Sequence, residues 1–385
     1  MKKFAALLCA VLTISLAGCG VGTPSPTTAQ PLPTTEAEGI QSPALAEKDS
    51  PRVTVRFDSV SRSVQREGVS LVTYTVPGVT VEVENSDAGE LISKVINDAC
   101  EPSQDELDAL AGAAWSAYSA LDEAGRAGWT PYGINVSAKV MRGDGAVLSV
   151  RCTVSEMSGG AHPSEDGFGM TFDVRTGRNL STPAQMTQGG ADLTDELQGL
   201  IDADLAASGD ADAYSLPENF IDSSLANGKW YLTGEGLTLF APAGTIAPYA
   251  LGEAEFSLPY ADMDGKLDRE YMPESPEGGA DALSIASGPA DASVTAVLDE
   301  GGNYFALNAA ENVTGVSIER VSMYDDGNFY SYGQALYVSR LDAGESLGLT
   351  AAFMDTPLYS VNWGAGESRL IGDSGKDGSL LLIEP

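Results

Sequence analysis

The chain has 385 residues, 43% of them hydrophobic, with 55 acidic against 21 basic side chains and a formal net charge of −34. That surplus repels phosphate backbones and anionic headgroups, so a general nucleic-acid or anionic-lipid surface is excluded. A single histidine, His162, rules out a histidine-rich metal site, and four cysteines leave little for a Cys/His zinc site; no metal and no cofactor are expected.

Met1-Lys2-Lys3 is a short basic start, and Phe4 to Leu16 carries no charge. That stretch is shorter than the ~20 apolar residues a spanning helix needs. It fits the middle of a signal peptide. Leu16-Ala17-Gly18-Cys19 then resembles the lipobox of bacterial lipoproteins. The resemblance implies that residues 1–18 are removed and that Cys19 receives the lipid. The protein is then expected outside the cytoplasm, lipid-anchored to the cell membrane. Without Lys2 and Lys3 the net charge becomes 36 negative. Residues 19–50 are rich in Pro and Thr, with Thr23-Pro24-Ser25-Pro26 and Pro31-Leu32-Pro33. Too little apolar surface is available there to offset ordering entropy, so the segment reads as a disordered tether.

From Pro51 the pattern turns to strands. Val53 to Phe57 alternates, and Leu71–Val76 and Val79–Glu84 read as a strand pair turning at Pro77-Gly78. Asp87-Ala88-Gly89-Glu90 has capping-box spacing and predicts a helix through Ala99. Ser103-Gln104-Asp105-Glu106 predicts a second, with Leu107, Leu110, Ala114 and Trp115 as a core stripe. Residues 133–141 and 146–154 are expected as a hairpin. Its tip holds Arg142-Gly143-Asp144, which spells an adhesion tripeptide and reads here as a turn. Another strand pair is expected at 168–180, a third helix over 193–205, and strands around Trp230, Leu239 and Phe256. The fold class is α+β, with mixed antiparallel sheets and a few packed helices over 51–267, subdivided near residue 142. Of the cysteines remaining after cleavage, Cys100 and Cys152 favour a disulfide in an oxidising compartment, the alternative being two buried free thiols.

Two motifs add a family resemblance. Gly159-Gly160-Ala161-His162-Pro163 precedes Phe172-Asp173-Val174-Arg175-Thr176-Gly177-Arg178, and Trp230-Tyr231-Leu232 precedes Ile246-Ala247-Pro248-Tyr249-Ala250. This order resembles the extracytoplasmic region shared by RsiV-type anti-sigma factors and PdaC-type peptidoglycan deacetylases, over about residues 52–264. Ala243-Gly244-Thr245 departs from it where the family carries an aromatic, and no deacetylase or sigma-binding part is read in the chain. The resemblance implies a non-enzymatic binding or sensing role, with lysozyme, a basic protein, or a peptidoglycan component as partner. Asp173, Gly177, Pro248 and Tyr249 belong to these motifs together with the Gly159–Pro163 run. Each is readable either as turn punctuation or as a binding residue. A cell-wall glycosidase using two carboxylates is the alternative, since 55 acids are present.

Met272 to Asp281, rich in Pro, Glu and Gly, reads as a boundary. Residues 280–385 show only short strand patterns, expected as a small β-sandwich-like domain. Asp325-Asp326-Gly327-Asn328 is a turn signal without EF-hand spacing.

Overall fold

A computed structural model describes residues 50–160, 162–208, 211–263, 265–287, 292–300, 302–323, 329–351, 359–373 and 380–383. The signal peptide, Cys19, the tether before Ser50, Ala161 and Asp325–Asn328 lie outside the described residues.

Strand β1, Thr54–Arg66, and strand β2, Val69–Glu82, form one long antiparallel hairpin turning at Glu67-Gly68. The turn expected at Pro77-Gly78 is absent; both residues sit inside β2. The reason lies in the edge. Val79 N–H donates to Asn97 Oδ1 and Val81 N–H to Ser93 Oγ, both on a helix rather than a strand. Backbone groups alternate sides with a period of two, so the nitrogen of Pro77 also faces that helix-capped edge. Beyond Thr75 no strand follows there, and the missing donor breaks no ladder bond.

The capping helix is α1, Ser86–Cys100, whose N-cap is Asn85 rather than Asp87. Helix α2, Gln104–Ser119, opens on the expected capping box: Ser103 Oγ accepts from Glu106 N–H, and Glu106 Oε2 accepts from Ser103 N–H. A short α3, Glu123–Ala127, leads into the meander β3 (Tyr132–Gly143), β4 (Val147–Met157), β5 (Ser164–Asp173) and β6 (Arg178–Asn179). β3 runs parallel to β2 over Val72–Thr75. Ile92, Ile96, Leu107 and Ala114 of the helices fill a core against Val72, Val136, Val150 and Phe172.

Helices α4, Thr194–Ser208, and α5, Phe220–Ala226, cover a three-stranded sheet of β7 (Trp230–Leu232), β8 (Gly236–Ala241) and β9 (Ala254–Pro259). Leu197, Ile201, Phe220, Trp230, Leu239 and Phe256 make this second core. The small sheet rests on β5 at Gly169, whose N–H donates to Gly228 O at 2.7 Å. A Cβ on Gly169 would lie 1.8 Å from Trp230 O, so only glycine permits the approach.

The C-terminal region adds β10 (Leu283–Ser287), β11 (Val294–Val297), β12 (Asn303–Ala309), β13 (Val313–Met323), β14 (Phe329–Leu341), β15 (Ser346–Ala351), β16 (Tyr359–Trp363), β17 (Glu367–Asp373) and β18 (Leu380–Ile383). Four of them form a separate sheet in the order β10-β12-β15-β11, and the third core of Phe305, Ile318, Val338, Leu349 and Trp363 is built from both sets of strands. The others extend the first sheet, because β14 pairs with β1 at Thr54↔Val338 to Arg56↔Leu336. The result is an eleven-stranded sheet in the order β18-β17-β16-β13-β14-β1-β2-β3-β4-β5-β6. The architecture is α+β with a β-rich C-terminal region, as the strand and helix patterns predict. Strands β10, β16 and β17 had no clear signal in the sequence.

Candidate functional site

The Asp173–Gly177 motif forms the turn between β5 and β6. Asp173 is buried, and its carboxylate accepts from Arg175 N–H, Nε and Nη2 at 2.9–3.1 Å and from Tyr271 Oη at 3.3 Å. Burial alone would raise its carboxyl, but the Arg175 bonds and charge outweigh that and hold it below the ordinary range. Arg175 also pairs with Glu270. Gly177 has φ 72°, and a Cβ there would sit 3.0 Å from Ala88 Cα. All the polar atoms of Asp173 are therefore engaged within the protein, and the turn packs against the start of α1.

The other two motif segments meet in space. His162 stacks on Tyr249 with ring centroids 5.2 Å apart and 23° between planes. Pro163 follows His162, whose Nδ1 lies 3.3 Å from Pro163 O, and Pro248 precedes the single 3-10 turn Tyr249–Leu251. Gly159 and Gly160 lie in the β4–β5 connection, with Gly159 against Tyr132. Tyr249 and Leu251 are half exposed, at 50% and 45%.

Tyr249 is also a wall of a cleft of about 150 Å³, lined besides by Thr153, Glu165, Asp166, Pro242 and Glu253. Two of these three carboxylates are paired with cations. Arg151 Nη2 donates to Glu253 Oε2 at 2.5 Å, and its guanidinium lies 3.3 Å from the centre of the Phe240 ring. Lys229 pairs with Asp166 and donates to Gly167 O. Beside them Tyr231 Oη donates to Glu255 Oε1. Glu165 has no ion pair among the described residues. Two cations thus face the three carboxylates of the cleft, which keeps a negative surplus. Burial raises the Glu253 carboxyl, with Arg151 opposing, and the net direction is upward.

Arg142, Gly143 and Asp144 do form the tip of the β3–β4 hairpin, but the tip is buried. The Arg142 side chain is 2% exposed and pairs with Asp144 at 2.7 Å. An adhesion role is thereby closed to it. Among the described residues no group of three or more His, Cys, Asp and Glu side chains could hold a metal ion, and no helix is long and apolar enough to cross a membrane.

Cys100 at the end of α1 and Cys152 in β4 are both buried, with sulfurs 3.6 Å apart and unbonded. The Cys100 hydrogen bond and burial push the Cys152 thiol well up, so Cys152 is not set up as a reactive thiolate. The approach makes a bridge geometrically accessible after oxidation. Intact-mass analysis of the oxidised protein should show a loss of two hydrogens that reductant restores. Two alkylatable thiols after full oxidation would exclude the bridge. If formed, it should stabilise by ~4 kcal/mol on the loop-entropy model.

Sequence reading singled out His162, Pro163, Pro248 and Tyr249 but not the acids they border. Glu165 and Asp166 lie just past the motif, and Glu253 just past Tyr249; only their spatial convergence distinguishes them from other surface acids.

No curated protein matches the chain. Solved structures are similar to the chain in part. A DUF3298 family protein from Pseudomonas aeruginosa PAO1 is 18% identical, with a TM-score of 0.40, covering 57% of this chain and 96% of its own. A DUF3298 family member from Bacteroides fragilis NCTC 9343 is also 18% identical, with a TM-score of 0.37, covering 56% and 94%. Residues 186–261, which run from Met186 through α4, α5 and the three-stranded sheet to Ala261 and include the Tyr249 wall of the cleft, match the family described as "Protein of unknown function (DUF3298)".

Proposed function

We propose that this protein is a lipid-tethered extracytoplasmic binding module that captures a basic protein, lysozyme-like in charge, or a cationic wall component at the Tyr249 cleft, and does not turn it over. The observation that carries the reading is the half-exposed Tyr249 beside a cleft with more carboxylates than cations. An aromatic anchor with a charged rim is the common anatomy of a protein contact. The resemblance of the Gly159–Pro163 and Ile246–Ala250 motifs to RsiV-type regions supports the same partner class. Surface plasmon resonance of the mature protein against lysozymes and other basic proteins tests it; no binding at micromolar concentration would end the proposal.

The anchoring half of the reading rests on Cys19. A fatty-acid probe should label the wild-type protein in cells, and Cys19→Ala should remove the label and release the protein. Label retained in that variant would defeat the anchor.

One observation favours an enzyme instead. Glu253 is a carboxylic acid raised by burial in a cleft shared with Glu165 and Asp166, and glycosidases use one carboxyl of raised pKa and one ionised partner. Release of muropeptides by the pure protein, lost in Glu253→Gln, would establish that reading over binding.

A further inference from the structure

Strand β1 runs on past one of its partners. β14 pairs with it only from Thr54 to Arg56, while β2 follows it to Arg66. Beyond Arg56 no strand among the described residues pairs with the outer edge of β1, and Asp58–Ser63, Gln65 and Arg66 are exposed. The direction of the edge groups is set by β2. Val79 and Val81 turn their N–H groups away from β1, toward α1. Their register partners Phe57 and Val55 therefore turn theirs away from β2, and with a period of two so do Ser59, Ser61, Ser63 and Gln65. The register shift at Val64/Gln65 passes over Leu71 of β2 and leaves β1 itself regular.

Proteins guard such edges with proline, a bulge or charge, because an open edge templates another strand. Here β1 has no proline and no bulge, and its charges stand in complementary order. The segment Asp58-Ser59-Val60-Ser61-Arg62-Ser63-Val64-Gln65-Arg66 is nearly symmetric about Arg62. Ser61 mirrors Ser63, Val60 mirrors Val64, and Asp58 mirrors Arg66.

We propose that a second copy of this chain occupies the edge, its β1 pairing antiparallel with this one about a two-fold axis at Arg62. A two-fold contact has to be self-complementary, and this strand is. Ser61 faces the partner's Ser63 and Ser59 the partner's Gln65, and these outward-turned residues exchange ~8 backbone hydrogen bonds. Between them lie the closer, non-hydrogen-bonded pairs. Val60, 37% exposed, meets the partner's Val64. Asp58 meets the partner's Arg66, and neither holds an ion pair among the described residues. Arg62 meets its own copy, but each guanidinium is already paired with Glu101 of its own chain and lies 5.8 Å from the centre of the Tyr74 ring. Moving the axis to Ser61 would set Val60 against Arg62 and Asp58 against Val64, which selects the register. The net charge of the chain opposes association, but beyond ~8 Å it is screened at physiological ionic strength. Two eleven-stranded sheets would become one. The edge is separate from the Tyr249 cleft, and the proposal stands without that reading.

The test is sedimentation equilibrium of the mature chain carrying Cys19→Ala, at physiological ionic strength, where a micromolar monomer–dimer equilibrium is expected. Ser61→Pro removes an outward donor without breaking a bond to β2, so it should weaken the dimer by about tenfold or more and leave the circular dichroism unchanged. Asp58→Arg sets like charges opposite each other twice by symmetry and should weaken it by about tenfold, and adding Arg66→Asp should restore it. Arg62→Cys should form a disulfide-linked dimer, since facing Cα atoms ~4.5 Å apart are within bridging range. Ser59→Cys, displaced from its own copy along the ladder, should not. A chain that stays monomeric at the highest soluble concentration would overturn the proposal, whether its edge is bare or taken by its own residues 20–49. A dimer indifferent to Ser61→Pro and to the charge swap, or linked through Ser59→Cys as readily as through Arg62→Cys, would overturn it as well.

Discussion

Arg142→Ala should destabilise the protein by about 3–5 kcal/mol, the cost of removing one partner from a buried ion pair. Total stability for a domain is of the order of 5–15 kcal/mol, so this is a large share of it. Arg142 donates from Nε to Asp144 Oδ2 and from Nη1 to Tyr260 Oη, both at 2.7 Å, and its guanidinium lies 5.4 Å from the Tyr260 ring centre. Asp144 Oδ1 in turn accepts from Ala146 and Val147 N–H at 2.9 and 2.8 Å. Tyr260 passes its hydroxyl to Thr233 O, Glu274 accepts from Gly145 N–H, and Tyr337 donates to Gly143 O. A single buried tip thus ties the first sheet, the small sheet and β14. Burial disfavours the Arg142 charge, but Asp144 and Tyr260 outweigh it. Alanine would leave Asp144 as an uncompensated buried charge. Tyr260→Phe removes the acceptor of Arg142 Nη1 and the donor to Thr233 O but keeps the ion pair, and should cost about 2 kcal/mol. Urea unfolding of the two variants separates them: similar midpoints would mean that Arg142 contributes packing alone.

Glu165→Lys should slow association with a basic protein by about tenfold at low salt and leave the fold unaffected. Charged clefts raise association rates by about 10–10³-fold, and Glu165 lines the cleft without an ion pair of its own among the described residues. Its replacement therefore strands no cation, unlike Glu253 or Asp166, which hold Arg151 and Lys229. The wild-type rate should fall as salt rises, because the screening length shortens from ~8 Å at physiological strength to ~3 Å at 1 M. The two proteins should then converge. Tyr249→Ala should act on dissociation and cost about 2 kcal/mol if the ring is a central anchor. His162→Ala should cost less than either, since the ring supports Tyr249 from behind. Stopped-flow or plasmon-resonance rates decide the matter. Salt-independent tight binding would place the energy in apolar contact instead.

The legible parts of this fold were those whose signal is local. The Ser103 capping box, the Leu107–Ala114 stripe and the turn chemistry between β3 and β4 specify their structures within a few residues. Pro77-Gly78 misled because its turn propensity is overridden by pairing of the whole hairpin and by a helix that covers one edge. β10, β16 and β17 are short strands that acquire their conformation from neighbours in a sheet. For the site, His162 and Tyr249 stood out by motif, but their stacking joins segments that nothing in the spacing connects. The Glu165, Asp166 and Glu253 cluster depends on the β4–β5 hairpin meeting the loop between β8 and β9, and no composition count can reveal that.

The pairing of β1 with β14 also sets an order of events in time. Ribosomes deliver Thr54 long before Val338, its partner across the sheet. Loop closure grows slowly with length, about 0.6 kcal/mol per doubling, so the distance is a modest thermodynamic burden. The kinetic burden is larger, because non-local strand pairs form late. Until residues 336–338 arrive, the outer edge of β1 over Thr54–Arg56 has no partner, and an open strand edge is a template for another chain. The growing polypeptide is thus vulnerable to self-association at the start of the first strand it makes, and that hazard ends only when the third core closes.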